Sequence, residues 1–385
     1  MDRHGFAPAA TGTLVPTIGG RKAFVPARLP PSLDVRQFLA QLSRATQAVG
    51  ELKGIGRSVP NPLLLIRPLQ RREAVSSSSM EGTYTTLSDL FLFEAGASEA
   101  ATRGDNREVL NYVRALEGAI DGLANLPISS RLIRDAHRVL LTGVARHRGA
   151  TVEPGELKRD QNWIGGSGRI DTARFIPAPP ADTPEALDTL MAYINREDRD
   201  AASPLIDAAL AHYQFEAIHP FADGNGRVGR MLITLMLVDN GTLPQPLLYM
   251  SPHLERHKDR YIDLMYAVSR DGAWEAWIAF FLDAVAAAAD ETIATVERLQ
   301  DLQRTYRERF QTARRSALML RIIDEAFERP IRSVSDIADA LGVSYGGAAN
   351  NVNELIAQGV AEEVPGTYPK LIRFPEVLEA LQVGS

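Results

Sequence analysis

Polar and apolar positions divide the chain into stretches of helical period separated by short breaks. From Asp34, apolar residues recur at Val35, Phe38, Leu39, Leu42, Val49 and Leu52, a stripe that predicts a helix. Gly54, Gly56, Pro60 and Pro62 are read as its end. A second helix is expected over residues 63–80. Its four serines, Ser76 to Ser79, stop at Met80-Glu81, and Gly82 can terminate it. Residues 84–148 read as helical, with stripes at Leu87 and Leu90 to Phe93, at Val109 to Leu123, and at Leu132 to Val144. These stripes are assigned to the core.

Residues 154–180 break the period. Two short β-prone runs, 161–164 and 173–176, flank Gly165-Gly166-Ser167-Gly168, which predicts a β-hairpin with a flexible tip. Helices are expected again over 183–195, 201–218, 254–268 and 274–285, followed by a polar-faced connector helix over 286–311. From Ser316, segments 318–327, 334–341 and 344–357 predict three helices, and 363–374 a small β wing. Residues 1–33 carry Pro16, Pro26, Pro30 and Pro31 and read as an extended arm or a partly disordered one.

One stretch departs from this routine of core stripes. His219-Pro-Phe-Ala-Asp-Gly-Asn-Gly-Arg-Val-Gly-Arg230 lies between the expected helix 201–218 and an apolar run from Met231 to Val238. Ser203 is placed to cap the first helix and Pro204 to enter its first turn. Gly224 and Gly226 permit backbone conformations that other residues resist. Consecutive N–H groups at such a turn, opening a helix, form a nest for an anion. Arg227 and Arg230 are three apart, hence neighbours on a helix, and guanidiniums fork onto phosphate oxygens. Asp223 among arginines and anions suits a cation, and Mg²⁺ is the usual companion of a polyphosphate. His219 at the loop entrance has the ordinary chemistry of a general base. Taken singly, each feature is commonplace. Histidines also stand at 4, 137, 147, 212, 253 and 257, and two arginines can simply face solvent. Their concentration in twelve residues is what carries the reading.

Composition narrows the class. The chain has 385 residues, 45% hydrophobic and 23% charged, enough for two or three globular domains. It contains no cysteine, which excludes disulfides, thiolate catalysis and thiolate-bound zinc. A net charge of −6 gives no footprint for nucleic acid or an anionic membrane. No stretch approaches the ~18 apolar residues of a membrane span. Asp2 near the N-terminus and the lack of a long apolar core argue against a secretory signal, so a cytoplasmic location is expected.

The twelve-residue window resembles the signature of the Fic family, His-x-Phe-x-(Asp/Glu)-Gly-Asn-Gly-Arg-x-x-Arg, at every fixed position. The likeness extends to the flanking text 211–218 and 273–278, and about residues 60–285 resemble the family. Ser77-x-x-x-Glu81-Gly82 is similar to the family's inhibitory pattern, here N-terminal to the core. The resemblance implies a mostly α fold: a Fic-type helical core with a β-hairpin flap, plus a C-terminal winged helix-turn-helix. The expected divisions are 1–95 for the arm and inhibitory helices, 96–285 for the core, 286–315 for the connector and 316–385 for the winged helix.

The implied function is AMP transfer from ATP, with Mg²⁺, to a Tyr, Ser or Thr hydroxyl of a target protein. His219 would be the base and Asp223 the metal ligand. The Gly224-Asn225-Gly226 nest would hold the phosphates and Arg227 and Arg230 the outer ones, with Val228 and Gly229 also counted in the nucleotide-binding stretch. Ile164 of the flap and Tyr261 would lie beside the nucleotide, with Ile262 where a second aromatic is sometimes found. Glu81 and Ser77 would inhibit, Glu81 by pairing with Arg230. The flap is open to two readings, a docking edge for a target segment or a structural hairpin. Partners considered are a target protein, the chain itself as a substrate of self-modification, and a second copy in a homodimer.

Alternatives within the fold are removal of AMP or transfer of another phosphate-linked group. From another class comes a winged-helix transcriptional regulator. Charge argues against DNA binding: residues 316–385 carry five basic residues against ten acidic, a net of −5, and segment 344–358 has no lysine or arginine.

Overall fold

Several helices begin where a short polar side chain takes up a free amide. The computed structural model describes residues 6–7, 10–58, 63–97, 105–144, 153–198, 203–311 and 317–382. Asp34 accepts from Arg36 N and opens a 3₁₀ turn, Val35–Phe38, that runs into α1 (Leu39–Ser58). Gly54 and Gly56 do not end α1, contrary to the sequence reading. A Cβ on Gly56 would stand 2.5 Å from Leu247 Cδ1, so this glycine serves close packing and not a stop. Helix α2 (Leu63–Ser79) follows, with Pro68 inside it and the serines in its last turn.

Thr86 caps α3 (Leu87–Glu94), and α4 (Asn106–Leu123) packs against the Ser129-capped α5 (Ser130–Leu141). Helix α5 ends at Leu141, short of the stripe expected to Val144, and residues 145–148 lie outside the described residues. Then come α6 (Thr183–Ile194), α7 (Pro204–Ile218), α8 (Asn225–Asp239), α9 (Ser251–Arg256) and α10 (Lys258–Asp271). Ser203 caps α7 as expected, with Pro204 in the first turn. Both α7 and α8 are buried nearly all round, the mark of helices at the centre of a core.

The N-terminal arm is not merely extended. Strands β1 (Gly12–Pro16) and β2 (Lys22–Pro26) form an antiparallel hairpin, register Gly12↔Pro26 to Pro16↔Lys22. Phe24 is fully buried, and its N–H donates to Ile176 O at 2.8 Å. The expected flap hairpin is present but reduced to one antiparallel pair, Ile164↔Phe175, which exchanges hydrogen bonds of 2.8 and 3.1 Å. Its predicted strands do not lengthen because Gln161 and Asn162 spend their side chains on loop carbonyls.

Helix α11 (Trp274–Phe310) joins two segments that polarity had separated at residue 286. It crosses from one hydrophobic core, where Trp277 and Phe281 lie, to a second that holds Leu299, Tyr306 and Phe310. The second core is completed by α12 (Ala317–Glu328), α13 (Val334–Leu341), α14 (Tyr345–Ala357) and α15 (Pro375–Gln382). A three-stranded antiparallel sheet belongs to it: β3 (Ile331–Ser333), β4 (Glu362–Val364) and β5 (Leu371–Arg373), in the order β3-β5-β4. Ser333 and Ser344 cap α13 and α14, and Gly342 ends α13 in the left-handed conformation. Among the described residues, no helix is long and apolar enough to cross a membrane.

Helix α2 is pinned from several sides. Its Glu73, 2% exposed, accepts from Ser251 N at 2.9 Å, from Ser251 Oγ and from Tyr112 Oη at 3.1 Å. Burial raises the pKa of this carboxyl despite those donors. Glu73→Ala strands a buried amide and two hydroxyls, and should lower unfolding stability by about 2–3 kcal/mol. Urea denaturation checks this: the midpoint should fall with an unchanged slope.

Candidate active site

The loop between α7 and α8 starts with a strained residue. His219 has φ 51° and ψ 60°, a left-handed conformation that closes α7 through its N–H to Phe215 O at 2.9 Å. It is the one non-glycine with positive φ among the described residues. Such a conformation costs about 1–2 kcal/mol and persists only when its surroundings hold it. Lys158 Nζ donates to Ile218 O at 3.1 Å and to Asn162 Oδ1 at 2.9 Å. Asn162 Nδ2 in turn donates to His219 O and Phe221 O at 3.2 and 2.9 Å. Asn225 bonds the Phe221 backbone twice, accepting from its N–H and donating to its carbonyl, each at 2.8 Å.

His137 lies behind the loop, stacked on Phe221 with ring centroids 3.8 Å apart. Its Nδ1 accepts from Gly155 N at 2.9 Å, so the ring proton sits on Nε2 and is donated to Asp223 O at 3.0 Å. None of these four supports except Asn225 was singled out by sequence. His137 was one histidine among several, and Lys158 and Asn162 lay in a predicted loop and strand.

Gly224 at φ 78° is the N-cap of α8, and the helix's first internal bond runs from Val228 N to Gly224 O at 3.1 Å. That leaves the amides of residues 225–227 as the unpaired start of the helix, aimed outward from its positive end. The Val228 amide is therefore already used inside the helix. Gly229 serves packing instead: a Cβ there would stand 2.5 Å from Glu216 Oε1.

A cavity opens beside this turn. His219, Gly226, Arg230, Ile164 and Tyr261 line it, together with Glu81. Tyr213, Glu216, Lys258, Met265, Tyr266 and Arg174 join them. Tyr266, one turn beyond Ile262, supplies the aromatic that position 262 lacks; it meets Phe175 edge-on at 6.4 Å. Tyr261 is fixed by its hydroxyl, 2.7 Å from His212 Nε2. Burial keeps His212 neutral by lowering its pKa, and its Nδ1 lies 2.9 Å from Gly229 O.

Arg227 is not in the cavity. It is fully buried, paired with Glu108, and its Nη2 is 3.8 Å from Asp223 Oδ2. The expectation that both arginines face one anion is thereby corrected: Arg230 faces the cavity and Arg227 braces the loop from beneath. Spacing by three cannot separate these cases, because a buried helix presents protein on every side. Asp223 and Asn225 also stand outside the cavity lining. Asp223 Oδ1 accepts from Gly224 N at 2.7 Å, and its side chain is 22% exposed.

Arg230, 3% exposed, is where helix α2 arrives. Its Nε donates to Ser77 Oγ, and its Nη2 to Ser77 O and to Glu81 Oε1, each at 2.8 Å. Burial opposes ionisation of Glu81, but the charge and hydrogen bond of Arg230 outweigh it and hold the carboxyl below its usual range. A Cβ on Gly226 would overlap Glu81 Oε1, so the carboxylate rests directly on the turn. Lys258 Nζ holds the end of the same helix through Met80 O at 2.6 Å.

The helical core sets a histidine, the start of a buried helix and a buried arginine around one cavity. The family descriptions "Fic/DOC family N-terminal" and "Fic/DOC family" match residues 39–121 and 127–237, together just over half of the chain, and the chain belongs to the Fic/DOC family. It is similar to the protein adenylyltransferase Fic of Culex quinquefasciatus, 31% identical over 132 residues, covering 34% of this chain and 23% of that protein. The same protein of Drosophila virilis is 30% identical over 171 residues, covering 44% of this chain and 33% of the relative. The chain thus spans a third or less of the length of these relatives.

The fold is shared with a Fic family protein from Desulfovibrio desulfuricans, at TM-score 0.57 and 20% identity over 90% of this chain and 98% of that one. It is also shared with Fic-1 from C. elegans, at TM-score 0.51 and 20% identity over 67% and 74%.

His137 gives the loop a pH dependence. Burial lowers its pKa from 6.5 to about 4, so the folded protein holds it neutral and protonation favours the unfolded chain. Stability is full above pH 6.5 and is lost as pH falls toward about 4. His137→Gln cannot titrate and should escape this loss, gaining about 3 kcal/mol on wild type across that window. Thermal or urea unfolding of both forms at pH 7 and pH 4.5 measures it.

Proposed function

We propose that this protein transfers AMP from ATP to a hydroxyl side chain of a target protein, releasing pyrophosphate, and that Glu81 holds it inactive. The carrying observation is the Glu81 carboxylate on Gly226 and Arg230, one anion already seated where an anion-binding turn and a guanidinium meet. A group that satisfies Glu81 satisfies a phosphate equally, since both are oxygen acceptors of negative charge. The curated relatives' name, protein adenylyltransferase, supports the nature of the transfer.

In this reading the base and sugar lie against Ile164, Tyr261 and Tyr266, and the phosphates on the start of α8. Arg230 aims the α-phosphate by holding the outer ones. His219 takes the proton of the attacking hydroxyl, an effect worth ~10²–10⁴-fold. Electrostatic positioning supplies the rest. The target is a protein with an accessible Tyr, Ser or Thr, the chain itself included. The pattern of α12–α14 followed by β4 and β5 supports a winged-helix module, which the acidic balance assigns to packing or protein contact and not to DNA.

The residues present fit Mg²⁺ in one way only. Among the described residues, no group of three His, Asp or Glu could hold a metal alone. Mg²⁺ commonly binds one or two carboxylates and completes its shell with water and substrate phosphates, so Asp223 suits an ion that arrives with the nucleotide. The ion would offset phosphate charge there. Asp223→Ala should leave label transfer nearly absent at every Mg²⁺ concentration; undiminished transfer in chelator would remove the metal assignment.

Inhibition follows from occupancy. With Arg230 engaged by Glu81, ATP enters with its α-phosphate misaligned, and ~1 Å of misplacement costs ~100-fold in rate. Glu81→Gly should raise AMP incorporation at least about tenfold, and Arg230→Ala added to it should cancel the gain. His219→Ala in the Glu81→Gly background provides the silent control, with ATP binding retained. Radiolabelled ATP and target lysate report all four; equal incorporation by wild type and Glu81→Gly would end the inhibitory reading.

A further inference from the structure

The last turn of α7 carries a carboxylate that no step above uses. Glu216 lines the cavity, its side chain only 12% exposed, and lies 3.7 Å (Oε2) from His219 Nδ1. His219 Nδ1 and the other carboxylate oxygen, Glu216 Oε1, are buried polar atoms with no hydrogen-bond partner among the described residues. The cation nearest in character, Arg230, gives its hydrogen bonds to Ser77 and Glu81 instead. Space for the carboxylate is made by a glycine: a Cβ at Gly229 would crowd Glu216 Oε1 and the Phe215 ring. His212, on the same helix, is kept neutral by burial and faces Gly229 O and Tyr261.

We propose that Glu216 is a positioning residue for His219: its carboxylate receives the Nδ1–H, which leaves Nε2 as the nitrogen that accepts the proton of the incoming hydroxyl. The inference rests on the AMP-transfer reading for its catalytic consequence, and on geometry alone for the pairing. A neutral imidazole carries one proton, and a base works only through the bare nitrogen. A buried acceptor on one side of the ring selects the tautomer and steadies the imidazolium that forms. In the transfer step the hydroxyl oxygen bonds to the α-phosphorus as the bond from that phosphorus to the pyrophosphate oxygen breaks. The proton moves to Nε2, and pyrophosphate leaves with the electron pair. A separation of 3.7 Å is longer than a hydrogen bond. Contacts of this type shorten when substrate fills the site. The left-handed turn at His219 places the imidazole within reach of a residue only three positions earlier.

The test uses the full chain with Glu81→Gly, so that transfer is measurable. Adding Glu216→Gln preserves shape and removes the charge. It should lower kcat about 10–100-fold and leave KM for ATP within about twofold. A raised KM with unchanged kcat would mean that Glu216 serves Arg230 as a counter-charge, and would overturn the proposal, as would no effect on either. Long-range ¹H–¹⁵N spectra of the imidazoles, assigned with His219→Ala, read the tautomer without any turnover. Wild type should show His219 protonated at Nδ1, and Glu216→Gln should lose that preference. A proton on Nε2 in wild type overturns the pairing. Absence of AMP transfer from Glu81→Gly itself would strike the activity reading and leave the spectra to decide the pairing.

Discussion

The buried guanidinium of Arg230 constrains everything around it. A charge taken from water is tolerated only with partners, and a lone buried arginine is costly. Here the last turn of α2, with Ser77, and the turn just beyond it, with Glu81, supply them. The contact therefore does two things at once. It neutralises Arg230 in the free protein, and it fastens α2 over the start of α8. Any ligand that claims Arg230 must bring its own negative charge and displace Glu81, a competition between like chemistries. Reversing a 99:1 bias takes about 5.5 kcal/mol of differential binding, a scale that one carboxylate–guanidinium exchange does not far exceed.

The loop's strain makes sense beside that competition. His219 sits in a conformation it would not choose, held by Lys158, Asn162 and Asn225. Lys158 is buried, no carboxylate among the described residues pairs with its ammonium, and burial pushes its pKa down to about 7. The protein spends a desolvated lysine on the last carbonyls of α7, where the helix dipole favours a cation. The result is a loop whose backbone is set before any ligand arrives, so little ordering remains to be done on binding.

Helix α2 also belongs to two bodies. Ala74 and Met80 lie in the catalytic core, whereas Leu69 lies in the core of the C-terminal elements. Arg67 pairs with Glu328 of α12, and Arg72 with Glu291 of α11. One helix therefore meets both the elements around Arg230 and the C-terminal elements. Residues 286–310 are no loose tether between them, because α11 passes through both cores without a break.

Much of this was written in local sequence. Helical stripes, the Ser203-Pro204 start, the glycine turn at 224–226 and the four-residue step from Ser77 to Glu81 depend only on neighbours along the chain. Local steric and hydrogen-bonding rules act on them directly. Gly54 and Gly56 were misleading for the same reason: glycine signals a stop locally, but α1 uses Gly56 to approach Leu247. The arm's hairpin was hidden because its anchor, Ile176, is 152 positions from Phe24. The division of labour between Arg227 and Arg230 was equally invisible, since both look alike until Glu108 and Glu81 arrive from other helices. Sequence by itself determined which groups could hold a phosphate and move a proton. Only the tertiary structure decided which of them face the cavity, because that choice is made by the burial and charge of residues distant in the chain.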